Sequence, residues 1–372
     1  MDLYGRWLIM LIGQIGVAFF GIASAFSQNL WQMVILRFIL GFFLEFSTTA
    51  APVYTIEQCP IKERGFVSAV VTSAWGVGSL LITIIAYFIL SPWGWRWLLI
   101  IAAIPCLVFT LVLLCHSDTP YYYVSIDEFE KANEALETIC KYNGVEMIEG
   151  RLVRHKGIEE ASTFDYKEWF SKDNNIKEYC LLFIMNLSIF WIFFGLIYTS
   201  PSMLSAQYCH GGSANSTRLC QYSQQALYEL SLTTVGELFS VMLLWAIAEQ
   251  IGRIWTIRLF SGIGLLFSGF VLYCFARWVF VVGIMVLRAI SVGTFFVLLM
   301  LFLEIYPTQI RGTVLGFSWG LGRVVGLVSI GVGQYLVAVN VAYYVLTIIL
   351  AYLVSLISAC FFQRETLGVE LI

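Results

Sequence analysis

Of the charged side chains inside long apolar stretches of this sequence, five stand furthest from the ends: Arg37, Glu45, Glu237, Arg288 and Arg323. An ionisable group in such surroundings is costly unless it is paired or put to use. Three kinds of chemistry fit these residue types. A guanidinium such as that of Arg323 can hold an anion through two parallel hydrogen bonds. A desolvated carboxyl such as Glu45 can be neutral near pH 7 and carry a proton, or it can pair with an arginine. An acid and a base can also neutralise each other, so an internal Arg323–Glu237 pair is the alternative to solute binding. Trp75, Trp191, Tyr198 and Trp319 could stack on a ring-bearing solute. Aromatics are 16% of the chain, so packing and interface anchoring compete for each of them.

A second set of charges repeats. "EQCPIKERG" (57–65) and "EIYPTQIRG" (304–312) both read Glu-x-x-Pro-x-x-x-Arg-Gly, and they lie 247 residues apart. "DLYGR" begins at Asp2 and "EQIGR" at Glu249, with the same separation. Two phrases kept in one register indicate two related halves. A carboxylate at a membrane edge is poorly solvated and favours a nearby guanidinium. Glu57 is therefore expected to pair with Arg6 and Arg64, and Glu304 with Arg253 and Arg311. Such a network would hold helix ends together in one conformation and release them in another. The simpler alternative is that these charges only fix topology.

The elements that position these residues follow from composition. The 372-residue chain is 59% hydrophobic and 12% charged, with mean hydropathy +0.83. Soluble domains carry about 45–50% apolar and roughly 25% charged residues. A lipid bilayer is the solvent implied, and the net charge of −3 gives no sign of a nucleic-acid partner. Ten apolar runs are long enough to span as helices: roughly 7–27, 31–56, 66–90, 95–115, 179–203, 226–248, 254–275, 278–305, 313–337 and 340–362. With residue 6 in the cytoplasm, the cytoplasmic connections hold Arg6, Lys62, Arg64, Arg253, Arg311 and Arg364. The opposite side holds only Arg96, Arg218 and Arg277. This is the positive-inside asymmetry, and it places both termini in the cytoplasm.

The chain divides into an N-terminal half (1–115), a cytoplasmic linker (116–178), a C-terminal half (179–362) and a cytoplasmic tail (363–372). In the linker, Phe129, Leu136 and Ile139 give residues 125–144 the period of an amphipathic helix. The loop 204–225 lies on the other side. It carries an N-glycosylation pattern at Asn215, flanked by Cys209 and Cys220, which could form a disulfide in an oxidising compartment. The histidines lie in loops without metal-ligand spacing, and there is no phosphate-binding Gly-x-x-x-x-Gly-Lys-Ser/Thr loop. "GLGRVVG" (320–326) lacks dinucleotide-loop spacing, and its glycines read as helix-packing positions. No enzyme and no cofactor are indicated.

Taken in order and register, these motifs resemble the major facilitator superfamily, whose two six-helix halves are related about an axis along the membrane normal. "DLYGR" and "EQIGR" resemble its cytoplasmic turns after helices two and eight, and "RFILG" (37–41) its helix-four motif. The Glu-x-x-Pro-x-x-x-Arg-Gly phrases resemble the helix-four and helix-ten ends of sugar porters and organic-ion transporters. "DTPYYYVSIDEFEKANEALETICKYNG" (118–144) and "RETLGVEL" (364–371) resemble stretches of the organic-ion branch and of the synaptic-vesicle-2-related proteins. The ten spans then correspond to family helices three to twelve. Trp7 and Ile254 stand where the Gly-Arg turns of the family carry a further basic residue.

The resemblance implies an all-α integral membrane bundle of two halves. It further implies secondary transport of a small organic solute by alternating access, with a proton or sodium as coupling ion. Arg323 sits where organic-anion-type members carry an arginine, which favours an anionic or zwitterionic solute. The membrane expected is the plasma membrane or that of an intracellular vesicle. The competing readings are a non-transporting vesicle-type glycoprotein, acting as receptor or trafficking partner, and an inactive shortened transporter.

Overall fold

The computed structural model describes residues 5–59, 64–145, 150, 152, 175–205, 224–273, 276–306 and 308–363. Among them, ten helices are long and apolar enough to cross a membrane. Each arises from one of the ten apolar runs, because a helix satisfies its backbone groups internally where lipid offers no partner. The chain forms two compact units, Met1–Val71 with Phe88–Ser162 and Thr72–Tyr87 with Thr163–Ile372.

The first unit contains α1 (Arg6–Ala25), α2 (Leu30–Gln58), both ends of α3 (Arg64–Trp93) and α4 (Trp95–Leu113). Helix α1 packs against α2 and α4. Phe20 stacks on Phe43 at 5.5 Å between ring centres, and the Gln14 amide donates to Ser47 Oγ at 2.5 Å. The Arg96 guanidinium donates to the carbonyls of Ala25 (3.1 Å) and Ser27 (3.2 Å), placing a cation on the unsatisfied C-terminal end of α1.

The linker holds two helices, α5 (Pro120–Ser125) and α6 (Phe129–Asn143). Thr119 accepts from the Tyr122 N–H and Pro120 occupies the first helical position, so α5 starts on a side-chain cap. Helix α6 ends at Gly144 in the left-handed conformation. Its Ala132 and Ala135 are buried, with Phe129, Leu136 and Ile139 beside them half-buried, which is the amphipathic face read from the sequence.

The second unit gathers α7 (Asn175–Ser205), α8 (Gln224–Ile251), α9 (Arg253–Tyr273), α10 (Arg277–Ile305), α11 (Thr308–Val339) and α12 (Val341–Phe361). Helix α7 packs against α10, α11 and α12, while α8 packs chiefly against α10. One apolar cluster centres on Phe190, Phe193 and Phe295, and a second on Tyr344, Ile348 and Tyr352. The middle of α3, Thr72–Tyr87, also belongs to this unit, a division the sequence halves do not show. Gly76 explains the attachment. A Cβ there would lie 2.6 Å from Leu238 Cα, so the α3 and α8 backbones touch only because the side chain is absent.

Candidate functional site

The most deeply placed charges of the second unit form one site. Glu237 lies at the middle of α8 and Arg288 on the facing side of α10, with side chains 0% and 2% exposed. Arg288 Nε donates to Glu237 Oε1 at 2.6 Å, and its Nη2 reaches the same oxygen. Arg288 Nη1 donates to Ser200 Oγ of α7 at 2.8 Å and to Thr233 Oγ1 at 3.4 Å. Three helices are thereby joined through one guanidinium. The ion-pair partner of Glu237 is thus Arg288 and not Arg323, which corrects the pairing considered from the sequence. The reason is facing: α8 packs against α10, whereas Arg323 lies half-buried on α11, the helix that packs against α7.

At the helix ends the duplicated phrases produce matched pairs. Gly5 (φ +86°) and Gly252 (φ +98°) each precede the arginine that opens a helix, Arg6 of α1 and Arg253 of α9. Arg6 Nε donates to Glu57 Oε1 at 3.1 Å, and Arg253 Nε donates to Glu304 Oε1 at 3.1 Å. Both pairs span 51 residues and join the same atoms.

Their surroundings differ. In the first unit Thr119 Oγ1 donates to Glu57 Oε2 at 2.5 Å. Asp118 accepts the backbone N–H of Arg6 and of Trp7, each at 3.2 Å, capping α1. In the second unit a further carboxylate, Glu249, takes Arg253 Nη2 at 2.9 Å. Beyond Glu304, Tyr306 is buried against Phe302 and stacks on Tyr179 at 5.0 Å. Burial, with the Tyr179 phenol adding to it, pushes the Tyr306 hydroxyl well above its ordinary range, so it stays neutral. A cleft of about 20 Å³, room for about one water, runs between α8 and α10 past Trp245 and Phe296 to Glu249 and Arg253.

Several functional contacts escaped the sequence reading. Asp118 and Thr119 were visible only as part of a family-like stretch, because nothing local says that they meet Arg6 and Glu57. Arg277 makes a bidentate pair with Glu229 (2.9 and 2.6 Å) and reaches the Leu204 carbonyl at 3.0 Å, tying the starts of α8 and α10 to the end of α7. Its signal was an arginine and a glutamate at the same end of neighbouring spans.

The remaining expected residues fall as follows. Arg37 is exposed on α2, and Glu45, half-buried on the same helix, accepts from Thr48 Oγ1 at 3.3 Å. Both belong to the first unit. Trp319 packs in an aromatic cluster, 5.1 Å from Phe295 and 5.6 Å from Phe190, and Trp75 sits 5.8 Å from Phe193. The backbone carbonyls of Trp191 and Tyr198 accept from Ser329 (2.8 Å) and Gln334 (3.2 Å) of α11. The indole N–H groups of Trp191 and Trp319 are buried and meet no acceptor among the described residues. The side chains of Arg64 and Arg311, together with Asn215, Cys209 and Cys220, lie outside the described residues.

Charged pairs inside and at the ends of membrane-spanning helices suit a protein that passes solutes rather than one that performs covalent chemistry. Comparison with known proteins agrees. The Synaptic vesicle 2-related protein of Pongo abelii is 26% identical over 379 residues, covering 99% of this chain and 68% of the relative. A relative from Caenorhabditis elegans named as a transporter, svop-1, is 24% identical over 374 residues, covering 100% and 72%. Among solved structures, the proton:xylose symporter XylE bound to 6-bromo-6-deoxy-D-glucose matches with TM-score 0.66 at 20% identity, covering 100% of this chain and 82% of that one. The xylose transporter XylE from E. coli in its inward open conformation matches with TM-score 0.62 at 19% identity, covering 100% and 82%. The family model of the Major Facilitator Superfamily matches residues 1–330. The chain belongs to the Major Facilitator Superfamily: it is a multi-pass membrane transporter of small solutes and not an enzyme.

Proposed function

We propose that this protein is a secondary active transporter of a small organic anion or zwitterion, working by alternating access. The observation that carries the reading is the Arg288 guanidinium, buried halfway along a membrane-spanning helix and neutralised by a single carboxylate. A charge held at such depth is retained at a cost, and a charged solute gives it a use. The half-buried Arg323 and the unpaired indole N–H groups of Trp191 and Trp319 supply further donors in the same unit, which suits an anion. The matched Arg6–Glu57 and Arg253–Glu304 pairs serve as latches at the cytoplasmic ends of their units. The basic connections support cytoplasmic termini, and the name shared by the vertebrate relatives favours a vesicle membrane over the plasma membrane.

The test is uptake of a panel of labelled organic anions, cations and neutral sugars into proteoliposomes containing the purified chain. Anion or zwitterion uptake is expected. Arg323→Ala should abolish it while folded protein remains, and Arg323→Lys should retain part of it if a point charge suffices. Uptake confined to cations or neutral sugars, or normal anion uptake by Arg323→Ala, refutes the assignment. The relatives' name also supports a second reading, a vesicle protein that acts as receptor or trafficking partner. Absence of uptake across the whole panel, from protein that folds and reaches its membrane, favours that one.

A further inference from the structure

Arg253, Arg277 and Arg288 of the second unit each meet a carboxylate, whereas Arg258 meets none among the described residues. Half-buried on α9, it donates from Nε to the Ala359 carbonyl at 2.9 Å and from Nη2 to the Phe362 carbonyl at 2.6 Å. These acceptors stand at the end of α12, where a cation complements the unsatisfied carbonyls of the last turn. They are neutral, so the charge of Arg258 stays uncompensated, and Nη1 meets no acceptor among the described residues. The guanidinium is also held in place. Two hydrogen bonds tie it to another helix, and it lies 4.6 Å from the ring centre of Trp255. The free edge of a planar fork fixed in this way suits a phosphate oxygen.

Depth and surroundings say which phosphate. Arg258 lies about 7.5 Å along α9 from the helix start at Arg253. It is level with the last carbonyls of α12, so both helices place it where the apolar layer of a membrane gives way to the headgroups. Trp255, 57% exposed, is an aromatic of the kind that sits at this boundary. Deeper in, the outer face of α9 is apolar and open. Leu259 and Leu266 are exposed, and a Cβ on Gly262, one turn on from Arg258, would meet nothing within 4 Å. A free phosphate ion would leave that face bare. A phospholipid covers both parts, with its headgroup on the arginine and an acyl chain along the helix.

We propose that Arg258 and Trp255 form a binding site for an anionic phospholipid, with the headgroup phosphate on the free edge of the guanidinium and one acyl chain passing Gly262 along the open face of α9. The charge of Arg258 is then compensated by lipid and not by a protein carboxylate. Anionic lipids are concentrated in the cytoplasmic leaflet, where they attract basic residues near the surface. The choice of leaflet rests on the sidedness proposed above, whereas the site itself rests on the contacts of Arg258. Because the same guanidinium holds the last carbonyls of α12, a lipid bound to it secures the junction of α9 and α12.

The test is native mass spectrometry of the intact chain, released from detergent micelles that contain equal amounts of phosphatidylserine and phosphatidylcholine. The first lipid retained should be phosphatidylserine, preferred about fivefold, the weight of one basic residue at an anionic surface. Arg258→Gln should bring the two lipids to parity. Should that variant fail to fold, because it also strips the α12 carbonyls, Gly262→Glu tests the site with the cap intact. A carboxylate four residues on from Arg258 can pair with it, and the space there is open. Gly262→Glu should therefore abolish the preference, and Gly262→Gln should keep it. Parity in the parent protein overturns the site, as does a preference that survives in Gly262→Glu or in a folded Arg258→Gln. Displacement of phosphatidylserine by inorganic phosphate overturns the lipid assignment in favour of a free anion. Parity in the parent that becomes a preference in Glu365→Gln overturns it in favour of that carboxylate of the tail. Micelles have no sides, so sidedness does not enter the readout. A phosphatidylserine preference in a chain whose termini face away from the cytoplasm supports the site and refutes the sidedness.

Discussion

Arg288→Met makes the sharpest prediction of the structure. The substitution keeps the volume and apolar stem of the side chain but leaves the Glu237 carboxyl, 0% exposed, without a counter-charge. Removing one partner of a buried pair costs about 3–5 kcal/mol, chiefly because the survivor is stranded in a medium that solvates it poorly. Ser200 and Thr233 lose a common partner in the same step. At about 2–4 °C per kcal/mol for a folding unit of about 150–250 residues, the melting temperature should fall by about 6–20 °C. Glu237→Leu should have a similar effect, since it strands Arg288.

The double variant Arg288→Met/Glu237→Leu removes both charges together. Replacing a whole buried pair by apolar residues is often neutral or stabilising by about 1–4 kcal/mol, so the double variant should melt near the parent or above it. The assay is intrinsic-fluorescence thermal unfolding of purified protein in detergent, with membrane expression as an independent check. Additive behaviour refutes the reasoning. If the double variant is as destabilised as the two single variants summed, within about 0.5 kcal/mol, the side chains act through packing and not through their charges.

Three further outcomes follow from named contacts. Glu57→Gln and Glu304→Gln remove the charge that latches Arg6 and Arg253. A latch worth about 2–3 kcal/mol shifts a two-state balance by a factor of roughly 30–150, so labelling of cysteines placed on the C-terminal ends of α2 and α10 should rise, and unchanged labelling with intact protein would reduce both phrases to topology signals. Gly5→Ala should destabilise by about 1–3 kcal/mol, since φ is +86° and the added Cβ would fall 1.9 Å from Asp118 Oδ2; a melting temperature equal to the parent's would show that this cap is dispensable. Asn215→Gln should abolish the glycosidase-sensitive shift in gel mobility, and an unshifted parent that has passed through the secretory pathway would place Asn215 elsewhere than the glycosylated side.

The sequence by itself determined the number and placement of the spans, because burying about 20 apolar residues in lipid leaves the backbone only the helix to adopt. Its phrases held 247 residues apart also pointed to the Arg6–Glu57 and Arg253–Glu304 partners. Those pairs were legible because each charge sits at a helix end fixed by its own Gly-Arg or Glu-x-x-Pro phrase, so counting residues sufficed. The interior site was only half legible. Charge at mid-depth marks Glu237, Arg288 and Arg323 alike, and hydropathy does not say toward which neighbour a side chain of an apolar helix is turned. That choice came from tertiary packing. Helix α8 lies against α10, drawn close where Gly236 lacks a side chain, and this contact gives Glu237 to Arg288, with Ser200 of α7 meeting the same guanidinium. Asp118 shows the same division at the surface: it follows Gly5 by more than a hundred residues, and only the packing of α1 against α4 brings its carboxylate onto the first N–H groups of α1.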